Sequence, residues 1–434
     1  MLRRLVESHA PELALLVVLL SGAAALSVIY GRGYVLDEPI RGDAVGYYIY
    51  LPAAFLDRDL SLVRTVDRSF DGDAENAHSD LRRVDRGYLG PHQIGEAIML
   101  VPFFAVGHVI AVASGERRDG FSWPYQASAA AGGLLFGVLG LALLGSFLRR
   151  WFTRAIVAAT LLALTFGTNL FHYLTFDAVY SHAFSFAMVA FVLWSTIRLA
   201  ERPTAPRALS LGLGIGLAAT IRPTNLVVAL FPLLVCVRSW SDAKGRVRAL
   251  VAHPRLVGAC ACGLLTPVVL QLLYWHHVTG HFVVNPYDAD PRLQLAHPHV
   301  LAVAFSVRKG LLFWTPLVAL GVAGLPLLRS RAPALLIATP VVLAANFWLM
   351  ASWSEWWYGG SFGQRAFVDS LPLVGIGIAA LFAWARAGRR FLPVALATVV
   401  MSGLALHGML AYWRGDVPFD GTTWRIYLES FTRL

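Results

Sequence analysis

Three carboxylates stand close together in "LDEPIRGDAVGYYIYLP", Leu36–Pro52: Asp37, Glu38 and Asp43. A carboxylate within hydrogen-bond reach of a hydroxyl can take its proton, so each is a candidate general base. After Asp43 the text becomes tyrosines and aliphatics, "AVGYYIYLPAAFLDRDL", until Asp57-Arg58-Asp59 stops it. That run is too short to span a bilayer. It reads as a helix lying in the membrane interface with tyrosines at headgroup level, which would hold Asp43 at the bilayer edge. A solvated acidic loop is the alternative reading.

Cations form a second group. The sequence holds two lysines, Lys244 in a basic segment and Lys309 directly after Arg308, ahead of "GLLFWTP". Two adjacent cations at a helix start, where the backbone adds partial positive charge, suit a phosphate. Snorkelling at a helix end is the plain alternative. In "SWSEWWYGGSFGQRAFVDSLP", Ser352–Pro372, Trp353, Trp356 and Trp357 flank Glu355, and glycine turns precede Gln364, Arg365 and Asp369. An aromatic belt explains the tryptophans but not the turns or the Gln-Arg pair. Aromatic platforms beside a carboxylate and an arginine suit a sugar and its phosphate. In "GTNLFHYLTFDAVYSHAFSF", His172, Asp177 and His182 are five apart, whereas a metal pair on one helix face prefers i, i+4. They are site candidates or a structural polar network. In "ATIRPTN", Arg222 and Pro223 interrupt a long apolar run. Proline breaks the helix, and the arginine must face a cavity or a partner. Glycine-rich phosphate loops, HExxH, GxSxG and Walker motifs are missing from the sequence.

The elements that would carry these residues are apolar helices. Of 434 residues 57% are hydrophobic and 14% charged, against about 25% charged in soluble domains. Mean hydropathy is +0.60. Continuous apolar runs near 20 residues predict an all-α polytopic membrane protein and argue against a β-barrel. Expected spans are 11–30, 94–113, 127–147, 153–169, 180–199, 208–237 (broken near Arg222–Pro223), 254–275, 311–328, 334–351, 369–386 and 391–413. Counting the broken run once or twice gives a bundle of about 11–13 helices in one domain, 1–434. The first run is expected to be an uncleaved helix, because signal-peptide cores are shorter.

The net charge of +10 is concentrated in arginine clusters between these runs, which follows the positive-inside pattern and gives no reason to expect nucleic acid. That pattern places Arg3–Arg4, 238–255, Arg329–Arg331 and Arg386–Arg390 in the cytoplasm. Segments 31–93, 276–310, 352–368 and 414–434 then lie outside, as two long loops and two shorter ones. Glu116–Asp119 and Arg149–Arg154 both read as cytoplasmic although one helix separates them, so the parity there stays open. Long polar loops gathered on one side suggest a site at that surface. Cys236, Cys260 and Cys262 read as small core residues without redox or metal spacing.

The whole layout resembles an integral-membrane glycosyltransferase of the GT-C superfamily. Asp43, Tyr47, "IYLPAAFL" and Asp59 resemble the start of the first outer loop in the protein O-mannosyltransferase and lipid A aminoarabinose transferase group. "GPHQIGEAIMLVPFF", "RPTN", "GLLFWTP" and "WWYGGSFGQRAFVDSLP" resemble a bacterial branch of such transferases. The group usually has Asp-Glu at the catalytic position. Here Ala44 follows Asp43, and a literal Asp-Glu stands at Asp37–Glu38, so Asp37 remains the rival base. The resemblance implies inverting transfer of a sugar from a polyprenyl-phosphate donor to an extracytoplasmic hydroxyl of a lipid, glycan or protein. It implies a plasma-membrane location with the N-terminus cytoplasmic. Lys309, Arg308, Arg365 and Arg222 are then expected on the donor phosphate. Glu355, Trp356, Trp357, Gln364, Tyr47 and His182 are expected on the sugar or acceptor. No metal ligand is assigned, and a divalent cation (Mg or Mn) stays open as a cofactor. The rival from another class is a transporter or lipid flippase. It would show repeated halves and acids near mid-bilayer, which the sequence does not.

Overall fold

The computed structural model describes residues 9–31, 38–287 and 292–433. Asp37 and Arg3–Arg4 lie outside the described residues. The molecule is a multi-pass helical bundle. Among the described residues eight helices are long and apolar enough to cross a membrane. They are Ala10–Tyr30, Gly95–Ser114, Trp123–Leu148, His182–Glu201, Pro254–Thr279, Pro333–Ala351, Arg365–Ala387 and Phe391–Trp413. Arg154–Gly167, Ala205–Ile221 and Pro223–Leu234 are apolar but shorter.

The helices used below are α1 (Ala10–Tyr30), α2 (Asp43–Tyr48), α3 (Gly95–Ser114), α4 (Trp123–Leu148) and α5 (Arg154–Gly167). They continue as α6 (His182–Glu201), α7 (Ala205–Ile221), α8 (Pro254–Thr279), α9 (Leu317–Gly324), α10 (Ala338–Ala351), α11 (Leu371–Ala387) and α12 (Phe391–Trp413). A hairpin of strands, Arg82–Val84 with Gly87–Leu89, sits in the first long loop.

Close helix contacts are made where side chains are missing. α7 and α8 run side by side in the same direction. A Cβ on Gly212 would lie 1.9 Å from the Cys260 carbonyl, and one on Gly216 2.4 Å from that of Leu264. Such backbone-to-backbone approach is how helices associate where no hydrophobic force separates them from lipid. Cys260 sits at this seam, but Cys236 and Cys262 are exposed rather than core residues.

The interrupted run 208–237 goes in and comes back. α7 ends at Ile221, Arg222 is extended, and a 3-10 stretch Pro223–Ala229 leads into Leu230–Leu234. The ring of Phe231 then packs on Phe147 at 6.1 Å, near the end of α4. Arg222 is therefore the tip of a hairpin. The expected 311–328 span is also not one rod. It is the series Leu311–Trp314, α9, Leu325–Leu327 and Leu328–Arg331, interrupted at Pro316 and Pro326.

The two stretches that both read as loops of one side lie at opposite ends. Arg149 pairs with Glu12 at the start of α1 at 2.9 Å, and Arg150 pairs with Glu201 at the end of α6. The turn before α4 instead packs on the first long loop. Arg68 donates to the Asp119 carbonyl, and Tyr48 to that of Gly120 at 2.9 Å. α2 continues through Tyr50–Pro52 into a π turn at Ala53–Asp57 and runs along α3. Tyr47, Tyr48 and Tyr50 are buried in protein, and Tyr50 donates to the His92 carbonyl at 2.6 Å. They pack against α3 and its neighbours instead of facing headgroups.

Candidate active site

Asp43 opens α2 after Gly42, whose φ of +52° lies in the left-handed region that favours glycine. Its Oδ2 accepts from Arg365 Nη1 at 2.6 Å. The carboxylate is 30% exposed and the guanidinium 15%. Burial pushes the Asp43 carboxyl up, but the Arg365 guanidinium overrides this and holds it below the usual carboxylate range. His92 lies beneath this pair. Its ring stacks on Tyr47 at 4.5 Å and crosses α2 at Gly46, where a Cβ would come within 2.0 Å of the imidazole. Burial pushes His92 down to about 4, so it is neutral at physiological pH. Glu96, in the first turn of α3, is buried with neither oxygen hydrogen-bonded.

A second carboxylate, Asp177, stands in the turn before α6. Arg41 donates to it at 2.5 Å and His172 Nε2 lies 2.8 Å away. Trp413 Nε1 donates to His172 Nδ1 at 2.8 Å, which leaves Nε2 to carry the proton toward Asp177. Burial raises the Asp177 carboxyl, and His172 and Arg41 bring it below its ordinary value. Arg41 also reaches the Tyr30 hydroxyl at 3.2 Å. The ends of α1 and α12 therefore both meet at Asp177.

A third group forms at the hairpin tip. Arg222 donates to His182 Nδ1 at 3.1 Å and lies 3.5 Å from Asp369. The fourth group holds the expected phosphate cations. Arg308 donates twice to Asp420, at 2.8 and 2.7 Å, and its guanidinium lies 3.9 Å over Trp357. Lys309 is buried and donates to the Ser361 and Phe419 carbonyls. Burial pushes its ammonium down to about 7.

The structure thus brings Asp43, Tyr47 and Arg365 together, with Arg222 and His182 beside Asp369. Gln364 is buried and donates to the Trp356 carbonyl at 3.0 Å, and Trp356 meets Trp357 edge-on at 5.9 Å. Glu355 is exposed at the loop tip, and its carbonyl accepts from Tyr358 N. Asp59 has a local task, accepting from the Ser61 and Arg64 amides. Sequence reading did not select Arg41, His92, Glu96 or Asp420. "IRGD" placed Arg41 two residues before Asp43, and "GPHQIGE" put His92 and Glu96 four apart, the only signals available.

Among the described residues no three His, Cys, Asp or Glu side chains converge as a metal site. Asp43, Asp177 and Asp369 each face a guanidinium instead. This donor set does not fit a resident divalent ion.

No family model matches the sequence, and no curated protein does. A solved structure does match: the archaeal oligosaccharyltransferase AglB from Archaeoglobus fulgidus, in complex with an inhibitory peptide and a dolichol-phosphate. The TM-score is 0.52 at 13% identity, over 96% of this chain and 57% of that one. The architecture of the helical bundle is similar to that of this neighbour. This chain spans little more than half the length of that relative, and at 13% identity the likeness is one of fold.

Proposed function

We propose that the chain is a membrane glycosyltransferase that moves a sugar from a polyprenyl-phosphate donor to an acceptor hydroxyl, with Asp43 as general base. The observation that carries this is the Asp43–Arg365 pair at the head of the first long loop, ringed by Arg41, Arg222 and Lys309. The AglB structure, solved with a dolichol-phosphate, supports a lipid-phosphate donor for this fold. The motifs around Asp43 favour the O-mannosyltransferase and aminoarabinose transferase branch. The active face is taken as extracytoplasmic and the membrane as the plasma membrane.

The reaction needs few parts. Asp43 takes the acceptor O–H proton as its oxygen attacks the anomeric carbon. The carbon–oxygen bond to phosphate breaks, and the phosphate leaves with the electron pair. Attack from the far face inverts the centre. The departing phosphate is stable as an anion and needs positive charge where its own develops. Arg365 is the nearest such charge, and in the free protein it is held by Asp43. Donor phosphate and Asp43 therefore compete for one guanidinium. When the phosphate takes it, Asp43 loses its cation and becomes more basic as it is needed.

The test is transfer from a panel of labelled polyprenyl-phosphate sugars in membranes carrying the full chain. The native chain should transfer one of them, and Asp43→Asn should lower turnover by about 10²–10⁴-fold. Turnover retained by Asp43→Asn but lost by Asp37→Asn would move the base to Asp37. Movement of lipid without transfer would favour the flippase reading.

A further inference from the structure

At the end of the bundle far from Asp43, α5, α11 and α12 leave an apolar slot of about 360 Å³. Its origin is in the sequence. α5 presents Ala155, Ala159 and Ala163 at i, i+4 and i+8, so one helix face has no side chain long enough to reach α12. Phe382 and Val394 form the opposite walls, and Arg386 is the one charged residue in the lining. α12 faces mostly outward from the bundle, with 22% of its most apolar stretch buried.

Two observations say what fills the slot. First, its mouth is basic, with Arg390 lying over the Trp384 ring at 4.6 Å. Arg386, Arg389 and Arg390 in the α11–α12 turn are exposed, and none has a carboxylate partner among the described residues. Arg149 and Arg150, at the same end, are both paired. Second, the slot is a dead end. One turn beyond Ala163 and Thr398 the two helices close, and a Cβ on Gly167 would lie 2.4 Å from Ser402 Oγ. A chain inside it therefore does not continue between these helices to Asp43, and its polar end is left at the arginine side.

We propose that this slot binds one acyl chain of an anionic glycerophospholipid, with its phosphate on Arg386, Arg389 and Arg390. Basic pockets between membrane helices favour anionic headgroups, while the apolar walls only require a chain. The site is separate from the transfer reaction, and its residues touch none of the Asp43 groups.

The test is native mass spectrometry of the full, delipidated chain titrated with phosphatidylglycerol or phosphatidylcholine of the same acyl chains. The native protein should retain phosphatidylglycerol about tenfold more tightly. Arg386→Gln with Arg390→Gln should remove that preference, and Ala159→Phe should remove the bound lipid by filling the slot. If Ala159→Phe does not fold, the arginine variant decides alone, because its substitutions are on the surface. Equal retention of the two lipids by the native chain overturns the proposal. So does displacement of phosphatidylglycerol by a polyprenyl phosphate that Ala159→Phe also excludes, since the slot would then be the donor's.

Discussion

A carboxylate held in a 2.6 Å ion pair is a weak base, and the pairing of Asp43 with Arg365 makes a thermodynamic claim that can be measured. If donor phosphate must take Arg365 from Asp43, removing the competitor should help binding. Asp43→Asn is expected to bind a polyprenyl phosphate about 3–10-fold more tightly while losing turnover. The gain should vanish in an Arg365→Met background. A gain that persists there is general electrostatics, and the competition is then wrong. A double-mutant cycle on the two residues reads this directly.

Lys309 adds a pH dependence. Below about 7 it is an ammonium, bonded to the Ser361 and Phe419 carbonyls, and adds positive charge beside Arg308 and Arg365. Above that it is a neutral amine and this charge is gone. Donor affinity should fall as pH rises through about 7, and the step should be absent in Lys309→Gln. Stability has its own sign. An unfolded lysine stays protonated to about 10.4, so the unfolded chain binds more protons between that value and about 7. Stability therefore rises with pH across this window. At this scale Asp43 stood out in the sequence because the tyrosines and aliphatics of its own helix follow it directly. Its cation did not, because Arg365 lies 322 residues away. Separations of 136 and 241 residues likewise hid Arg41 from Asp177 and Trp413 from His172.

At the scale of the element, breaks in the helices place the site. The break in the run 208–237 was legible, since an arginine and a proline interrupt it, but whether the run turns back on itself was not. The fragmentation of 311–331 was not anticipated, although Pro316 and Pro326 mark both breaks. Composition kept the run apolar and hid them. α9 and α11 carry the closest backbone contact in this region. A Cβ on Gly324 would lie 1.9 Å from the Gly377 carbonyl, and one on Gly377 2.0 Å from that of Gly321. Gly377→Leu should drive the two helices apart and destabilise the protein by at least about 1–3 kcal/mol. A thermal melt of the purified variant checks this. A melting temperature equal to that of the native chain would mean that the two helices do not meet through glycine. Because Arg365 and Asp369 stand just before α11, such a shift should also weaken the Asp43 pair.

At the scale of the molecule, charge rules left the parity between 114 and 207 open. Both Glu116–Asp119 and Arg149–Arg154 are charged, and residue counting cannot say which turn is tied to which end. Long-range pairs decide it: Arg68 with Asp119, and Glu12 with Arg149. An impermeant thiol reagent should therefore label a cysteine at position 117 from the Asp43 side and one at 150 from the other. This uses a chain whose three native cysteines are replaced. Labelling of both from one side would refute the arrangement.

The knot of Tyr30, Arg41, His172, Asp177 and Trp413 ties α1 to α12. A chain emerging from the ribosome inserts α1 early and α12 late. Until Trp413 arrives, His172 has no donor on Nδ1, its tautomer is unfixed, and Asp177 and Arg41 lack their final frame. A nascent chain stalled before α12 would hold nearly every site residue and still lack an assembled centre. Biosynthesis itself thus acts as a timer that delays assembly of the Asp177 centre until α12 is in place.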